Sequence, residues 1–218
     1  MQQIVDALKQ FTSDNLSYPQ LGDYVKSLDA SQIDYQNQLP PFDASGNYTR
    51  NILLLDPLEC VLLHWPPGVE SAIHHHEGFW GYVLVLEGAC DNVEYQLRDG
   101  KLTETRTIRA FSGGVLHEPD GTIHKITNPS QEHHLVTLHF YYPALDTLDG
   151  LRLFDPEEGS IAVLNEKAES ASLNLPPDQF HTFEKGAFTY ESYQDKHPDR
   201  SHRTLPVVPK PDTETIHN

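Results

Sequence analysis

Residues 68–76 read Gly68-Val-Glu-Ser-Ala-Ile-His74-His75-His76, and this stretch decides how the chain folds. In an extended strand, residues two positions apart point to the same side, so His74 and His76 face together while His75 faces away. A second stretch, Pro119-Asp-Gly-Thr-Ile-His124, places a turn just before a further histidine. These stretches predict that the imidazoles of His74, His76 and His124 bind one metal ion. Neutral imidazole suits iron, zinc, copper, nickel and cobalt, so the spacing alone leaves the metal open.

The composition predicts one β-rich domain with extensions. The chain has 218 residues, of which 38% are hydrophobic, and it contains 16 prolines and 13 glycines. This length suffices for one good core. Short apolar runs separated by frequent turn residues are typical of an all-β barrel or sandwich.

The charge and the cysteine content restrict the partners and the compartment. A formal net charge of −17 argues against nucleic acid and against an anionic membrane, because both require a basic surface. No apolar run approaches the roughly 18–20 residues needed to cross a bilayer, and the N-terminus lacks the pattern of a secretory signal. With only two cysteines and no CxxC spacing, we expect a cytoplasmic protein.

The pattern divides the chain into three stretches. Residues 1–40 show helical spacing of apolar residues, and we expect this N-terminal helical region to pack on the barrel. Residues 41–165 form the barrel, with an added hairpin or cover at 151–164, and residues 166–218 form a C-terminal extension. The composition beyond Ser192 predicts a tail that is partly irregular, extended or poorly ordered. The predicted strands are 51–55, 60–65, 81–87, 93–97, 103–108, 122–126 and 135–142.

Both histidine stretches lie in regular frames of glycine, proline and asparagine. In the first frame, five residues separate Gly68 from His74, and six separate Gly81 from Gly88. The second frame runs Gly113-x5-Pro119-x-Gly121-x2-His124-x3-Asn128. Together the frames resemble the two motifs of the cupin superfamily. The resemblance implies an all-β fold, a double-stranded β-helix or jelly-roll barrel, here with an N-terminal helical extension.

The first frame departs from the usual cupin pattern at one ligand position. Many cupins carry a glutamate ligand where this chain has Gly81. Its absence leaves the metal with its full dipositive charge and more open positions, which favours an anionic ligand such as a thiolate. Glu77 comes too early in the frame to replace it.

Further segments resemble the cysteine dioxygenase family of thiol dioxygenases, over roughly residues 45–145. The resemblance implies an Fe(II) cofactor at His74, His76 and His124, and conversion of a thiol and O2 to a sulfinic acid. The segments that carry it are Asn47-Tyr48-Thr49-Arg50-Asn51, Leu63-His-Trp-Pro-Pro-Gly68 and Thr137-Leu-His-Phe-Tyr-Tyr-Pro143.

The same resemblance implies roles for residues around the iron. Arg50 would hold the substrate carboxylate by a bidentate pair, a geometry that lysine cannot match. Tyr48 matches a tyrosine near the substrate. Thr137, His139 and Tyr141 share one face of a strand by alternation, and they match a hydroxyl–imidazole–phenol relay whose phenol lies near the iron.

A cross-link found in animal members of the family is not expected here. Those members carry a cysteine at the position of Gly81, joined through sulfur to the late tyrosine. Glycine cannot form this bond, so Tyr141 should remain unmodified, as in many bacterial members.

The substrate is expected to be L-cysteine, because members with arginine at the position of Arg50 use it. Relatives that prefer 3-mercaptopropionate carry glutamine at that position and rely on a later arginine. Arg152 is the candidate for this second anchor, and two anchors would suit mercaptosuccinate, but we expect Arg152 to be an exposed charge. Two other classes stay open: a cupin acting on a non-thiol, and a non-catalytic cupin that binds a metal or small ligand. The expected partners are a small-molecule thiol and O2, without nucleic acid or membrane, and the oligomeric state stays open.

Overall fold

Two β-sheets packed face to face form the body of the chain in a computed structural model that describes residues 1–12, 16–42, 44–196 and 204–206. The helices are α1 (Gln2–Leu8), α2 (Tyr18–Ser27) and α3 (Tyr193–Lys196), with 3-10 turns at Ala30–Gln32, Gln36–Gln38 and Pro177–Gln179. The strands are β1 (Thr49–Leu54), β2 (Glu59–Trp65), β3 (Ile73–His75), β4 (Trp80–Glu87), β5 (Ala89–Arg98), β6 (Lys101–Phe111), β7 (Val115–Glu118), β8 (Ile123–Thr127), β9 (Leu135–Tyr142), β10 (Arg152–Asp155), β11 (Ser160–Leu164), β12 (Phe180–Glu184), β13 (Thr189–Glu191) and β14 (Thr204–Pro206).

The strands form two sheets. One sheet has five strands in the order β1-β2-β9-β4-β7. The other has nine strands among the described residues, in the order β12-β11-β10-β3-β8-β5-β6-β13, with β14 also pairing with β6.

The expected all-β cupin barrel with N-terminal helices is confirmed. Each predicted strand corresponds to an observed one, with ends that differ by a few residues, and the hairpin expected at 151–164 is β10 and β11. The sequence pattern does not predict β7 or the strands of the C-terminal extension. The division at residues 40 and 165 stays a prediction. For the tail, residues 197–203 and 207–218 lie outside the described residues.

The central strands of the five-stranded sheet are buried on both faces. Every residue of β2 is buried, as are Leu135–Phe140 of β9. Alternation along β9 turns Thr137, His139 and Tyr141 towards the other sheet, whereas Leu138 and Phe140 face outward into a second apolar cluster. A sheet covered on both faces needs near-continuous apolar sequence, which explains the run of residues 135–142.

The N-terminal helices cover the outer face of this sheet. Leu8 of α1 and Leu21 of α2 are fully buried in the cluster that contains Leu138 and Phe140. Helix α2 approaches β4 closely at Gly22, where an added Cβ would overlap the ring and hydroxyl of Tyr82. The Tyr82 hydroxyl donates a hydrogen bond to the Tyr18 carbonyl oxygen at 2.8 Å.

Between the sheets, apolar side chains fill only one part of the interior. Val61, Leu63, Trp65 and Val83 pack there with residues of β7 and β8. The remaining interior is lined by histidines and other polar side chains, described below. Within the described residues, no helix combines the length and apolarity needed to cross a membrane.

Candidate metal centre

Three histidine side chains converge between the sheets, as the sequence predicts. Strand β3 pairs with β8 so that His74 lies directly opposite His124, and His76 follows β3 by one residue. The Nε2 atoms lie 3.1 Å apart for His74 and His124, 2.9 Å for His76 and His124, and 3.2 Å for His74 and His76. These rings form a group that could hold a metal ion.

Neighbouring acceptors orient two of the rings. Asn92 Oδ1 lies 2.7 Å from His124 Nδ1, and the Ala72 carbonyl oxygen lies 3.0 Å from His74 Nδ1. Because these oxygens accept, each Nδ1 carries the proton and each Nε2 turns a free lone pair to the centre. Burial lowers the pKa of His74, and it lowers the pKa of His76 and His124 well below the usual value, so the rings are neutral near neutral pH.

The donor set fits a divalent transition metal. Imidazole nitrogens bind such ions at about 2.1 Å, so the nitrogens of neighbouring ligands lie roughly 3.0–3.4 Å apart. The Nε2 separations of 2.9–3.2 Å are therefore close enough for one ion to contact all three rings. Three histidine ligands would leave coordination positions open to other ligands.

Position 81 cannot supply a carboxylate. A Cβ at Gly81 would overlap the Phe140 carbonyl oxygen and the Tyr141 ring, so the late tyrosine occupies the space of a side chain there. Glu77 points elsewhere, because its Oε2 lies 2.6 Å from Arg152 Nη2 and 3.6 Å from His75 Nδ1.

A buried carboxylate that the sequence interpretation missed lies beside the histidines. Glu118 has 0% exposure, and its Oε1 and Oε2 lie 3.6 Å from His124 Nδ1 and 4.0 Å from His76 Nε2. Burial raises the pKa of Glu118 to about 8, while the Tyr141 hydroxyl lowers it. The inward direction of Glu118 could have been found from alternation with Leu116, had the four residues of β7 been recognised as a strand.

The predicted relay residues form one chain of hydrogen bonds. Trp65 Nε1 donates to Thr137 Oγ1 at 2.8 Å, Thr137 Oγ1 lies 2.8 Å from His139 Nε2, and His139 Nδ1 lies 2.8 Å from the Tyr141 hydroxyl. Since the indole only donates, the threonine hydroxyl can give its proton to His139 Nε2. His139 then donates from Nδ1 to Tyr141, which keeps its own proton to donate. Trp65 is a further member that the sequence interpretation did not include.

Burial holds the relay in its neutral form. It lowers the pKa of His139 to about 3, with a smaller effect from His74. It raises the pKa of Tyr141 well above the usual value, with Glu118 adding to the effect. Both the imidazole and the phenol are therefore neutral at rest near neutral pH.

A cavity of about 190 Å³ joins these groups to the predicted substrate residues. It is lined by the three histidines and Tyr141, and also by Tyr48 and Arg50. The Tyr48 ring packs on Trp65, with ring centroids 4.2 Å apart. Arg50 Nη2 donates to the Glu169 carbonyl oxygen at 2.8 Å, so the C-terminal extension fixes one end of this side chain.

The cavity also contains acidic groups that the sequence interpretation missed. Glu59, at the start of β2, is 5% exposed and lines the cavity together with Asp146. Burial raises the pKa of Glu59, and nearby Arg50 lowers it. Arg152 lies outside this lining: it pairs with His75 across the strands and with Glu77 by its side chain.

A family model described as cysteine dioxygenase type I matches residues 3–155. The cysteine dioxygenases type 1 of Rattus norvegicus and Mus musculus are each 29% identical over 109 residues, which is 46% of this chain and 53% of theirs. The chain thus spans about half the length of these relatives.

Solved structures with a similar fold include a double-stranded β-helix protein from Klebsiella pneumoniae, 21% identical, with a TM-score of 0.40 over 56% of this chain and 96% of that one. KdgF from Halomonas sp. is 20% identical, with a TM-score of 0.41 over 51% of this chain and 92% of that one. An oxalate oxidase in complex with glycolate is 13% identical, with a TM-score of 0.41 over 53% and 60%.

His124→Ala should abolish stoichiometric binding of Fe(II), because it removes one of three converging donors. His75→Ala is the matched control, since this ring neighbours Glu77 and not the centre, and it should retain the metal. The Fe(II) content of each variant, determined after anaerobic loading and desalting, tests both expectations. Equal loss in the two variants would contradict the alternation of residues 74–76.

The free energy of unfolding of the metal-free protein should fall as the pH drops from 6.5 towards 3, in part through His139. The pKa of His139 is about 3 in the native state and 6.5 as the ordinary value. Below pH 6.5 the imidazole of His139 is therefore protonated in the unfolded chain and stays neutral in the native state. By pH 5 this contribution is about 2 kcal/mol. Urea unfolding at about pH 7 and about pH 5 should show a smaller loss in His139→Gln. His133→Gln, which alters an exposed ring, is the control, and equal losses in wild type and His139→Gln would refute the assignment.

Proposed function

This chain belongs to the cysteine dioxygenase type I family, and from that membership we propose that it is an iron(II)-dependent thiol dioxygenase that converts L-cysteine and O2 to cysteine sulfinic acid. The observation that carries the proposal is the shared cavity: three neutral imidazoles, whose Nε2 atoms lie within 3.2 Å of one another, line it together with Arg50. The free, buried cysteines Cys60 and Cys90 agree with a reducing, cytoplasmic location.

The proposed reaction balances without an added reductant. Both atoms of O2 become bonded to the thiol sulfur, the O–O bond breaks, and the electrons that sulfur loses are those that O2 gains. When bound at the three histidines, iron would supply adjacent coordination positions and an electron path between the two reactants.

The residues of the chain bind and orient the substrate. We assign the carboxylate of the thiol to Arg50, whose position at the cavity is held through the Glu169 carbonyl oxygen. Tyr48 borders the same space. The Tyr141 hydroxyl accepts from His139 and keeps its own proton, which it can donate to an anionic group of the substrate in the cavity. Val61, Leu63 and Trp65 exclude water from the inner side.

The charges of the cavity favour cysteine among small carboxylated thiols. Arg50, Glu59 and Asp146 line the same cavity, and Arg50 is near enough to Glu59 to lower the pKa of that carboxyl group. An amino thiol brings a positive amine to these groups, whereas mercaptosuccinate brings a second negative charge. The outward position of Arg152 leaves a second carboxylate without an anchor there. 3-Mercaptopropionate, which lacks the amine, is the alternative thiol substrate. The remaining alternative is that the metal site acts on a compound that is not a thiol.

Iron-loaded protein should consume O2 with L-cysteine and release the sulfinate. Arg50→Ala should raise the KM for cysteine roughly 10–100-fold, because the variant loses a charge-assisted hydrogen-bonded pair with the substrate carboxylate. Cysteamine, which has no carboxylate, should show little change in KM between wild type and variant. Oxygen electrode traces with product analysis measure this, and Arg98→Ala, which alters an exposed arginine, is the control. No O2 uptake with any small thiol would refute the proposed function.

Glu59→Gln should lower the preference for cysteine over 3-mercaptopropionate and mercaptosuccinate. The substitution keeps the shape of a buried side chain and removes a charge that favours the amine. Comparison of kcat/KM for the three thiols tests this. An unchanged ratio, with activity retained, would show that Glu59 does not contribute to substrate choice.

A further inference from the structure

Glu118 is a buried carboxylate without a balancing partner. The side chain has 0% exposure. Within the described parts of the chain, neither of its oxygens has a hydrogen bond of ordinary geometry, and the neighbouring hydroxyl of Tyr141 is a neutral group that cannot balance a negative charge. Among the described residues, its ion-pair contacts are to the neutral rings of His76 and His124, and none is to a lysine or an arginine. A carboxylate in such a place is costly unless a positive charge stabilises it.

The nitrogen atoms that face Glu118 are already committed. His124 Nδ1, 3.6 Å from Oε1, donates instead to Asn92 Oδ1 at 2.7 Å. His76 Nε2, 4.0 Å from Oε2, belongs to the converging set of lone pairs. Both contacts therefore place the carboxylate beside two of the proposed metal ligands, and neither nitrogen provides a proton for a hydrogen bond to it.

Strand register places Glu118 beside the position that lacks a ligand. Gly81 of β4 lies opposite Tyr141 on one side and opposite Glu118 on the other. The Tyr141 ring closes position 81 to any side chain. The neighbouring strand β7 then presents a carboxylate at the same level of the barrel.

We propose that Glu118 supplies to the metal centre the negative charge that position 81 cannot, acting from β7 as an outer carboxylate that stabilises a dication at His74, His76 and His124. It is a positioning and charge-balancing residue, since its oxygens lie outside the group of atoms that could bind the ion directly. The inference rests on the proposed metal site and not on the choice of thiol. With Glu118 ionised, the dication and its nearest carboxylate carry one net positive charge, which still favours a thiolate.

Two substitutions test this inference, because each should weaken metal binding without lowering the stability of the metal-free protein. Glu118→Gln keeps the shape of the side chain, and Glu118→Met replaces it by an apolar group of similar volume. Each should bind Co(II) roughly 10–100-fold more weakly than wild type, as expected for loss of an outer partner of a metal site. Each should be at least as stable as wild type without metal, because a buried unpaired acid has been removed.

The measurements are a Co(II) absorbance titration without thiol and urea unfolding of the metal-free proteins. Glu104→Gln, which alters a buried carboxylate of β6, is the control and should leave Co(II) affinity unchanged. Unchanged affinity in both Glu118 variants would overturn the inference, and so would a loss of metal-free stability or of folding, which would indicate a structural role. Failure of wild type to bind Co(II) would instead refute the metal site itself.

Discussion

The pairing of β3 with β8 is the constraint on which the site depends. It sets His74 opposite His124 and brings three lone pairs within 3.2 Å of one another in the interior. Strand β3 has only three residues and is held between β8 and β10. The added hairpin of β10 and β11 is therefore part of what holds the histidines, because without β10 the short strand would lie at a sheet edge.

The hydrogen-bonded row on β9 depends on an interior from which water is excluded. The five-stranded sheet has apolar residues on both faces, and α1 and α2 cover the outer one. This cover leaves the inner face of β9 free to carry Thr137, His139 and Tyr141 in one hydrogen-bonded row. The low pKa of His139 and the high pKa of Tyr141 both follow from the exclusion of water by these layers.

Much of this arrangement could be predicted from sequence, since it depends on local spacing. The two frames locate His74, His76 and His124, and alternation in residues 135–142 predicts the row on β9. Glu118 and Glu59 could not be found in the same way. Glu118 belongs to a strand of four residues after Gly113-Gly114, which is too short to be recognised as a strand by its alternation, and Glu59 opens β2 directly after a turn. The direction of Arg152 was open for a related reason: it depends on a pairing with His75 between strands far apart in sequence.

The segment between β11 and β12 contributes to the wall of the cavity and to the position of Arg50. Ala168 and Ala171 line the cavity, and the Glu169 carbonyl oxygen holds Arg50, yet this segment lies beyond the residues matched by the family model. It joins β11 to β12 and carries none of the converging imidazoles. Substitutions in this connecting segment can therefore change the shape of the cavity and the position of Arg50 while the histidine cluster stays the same.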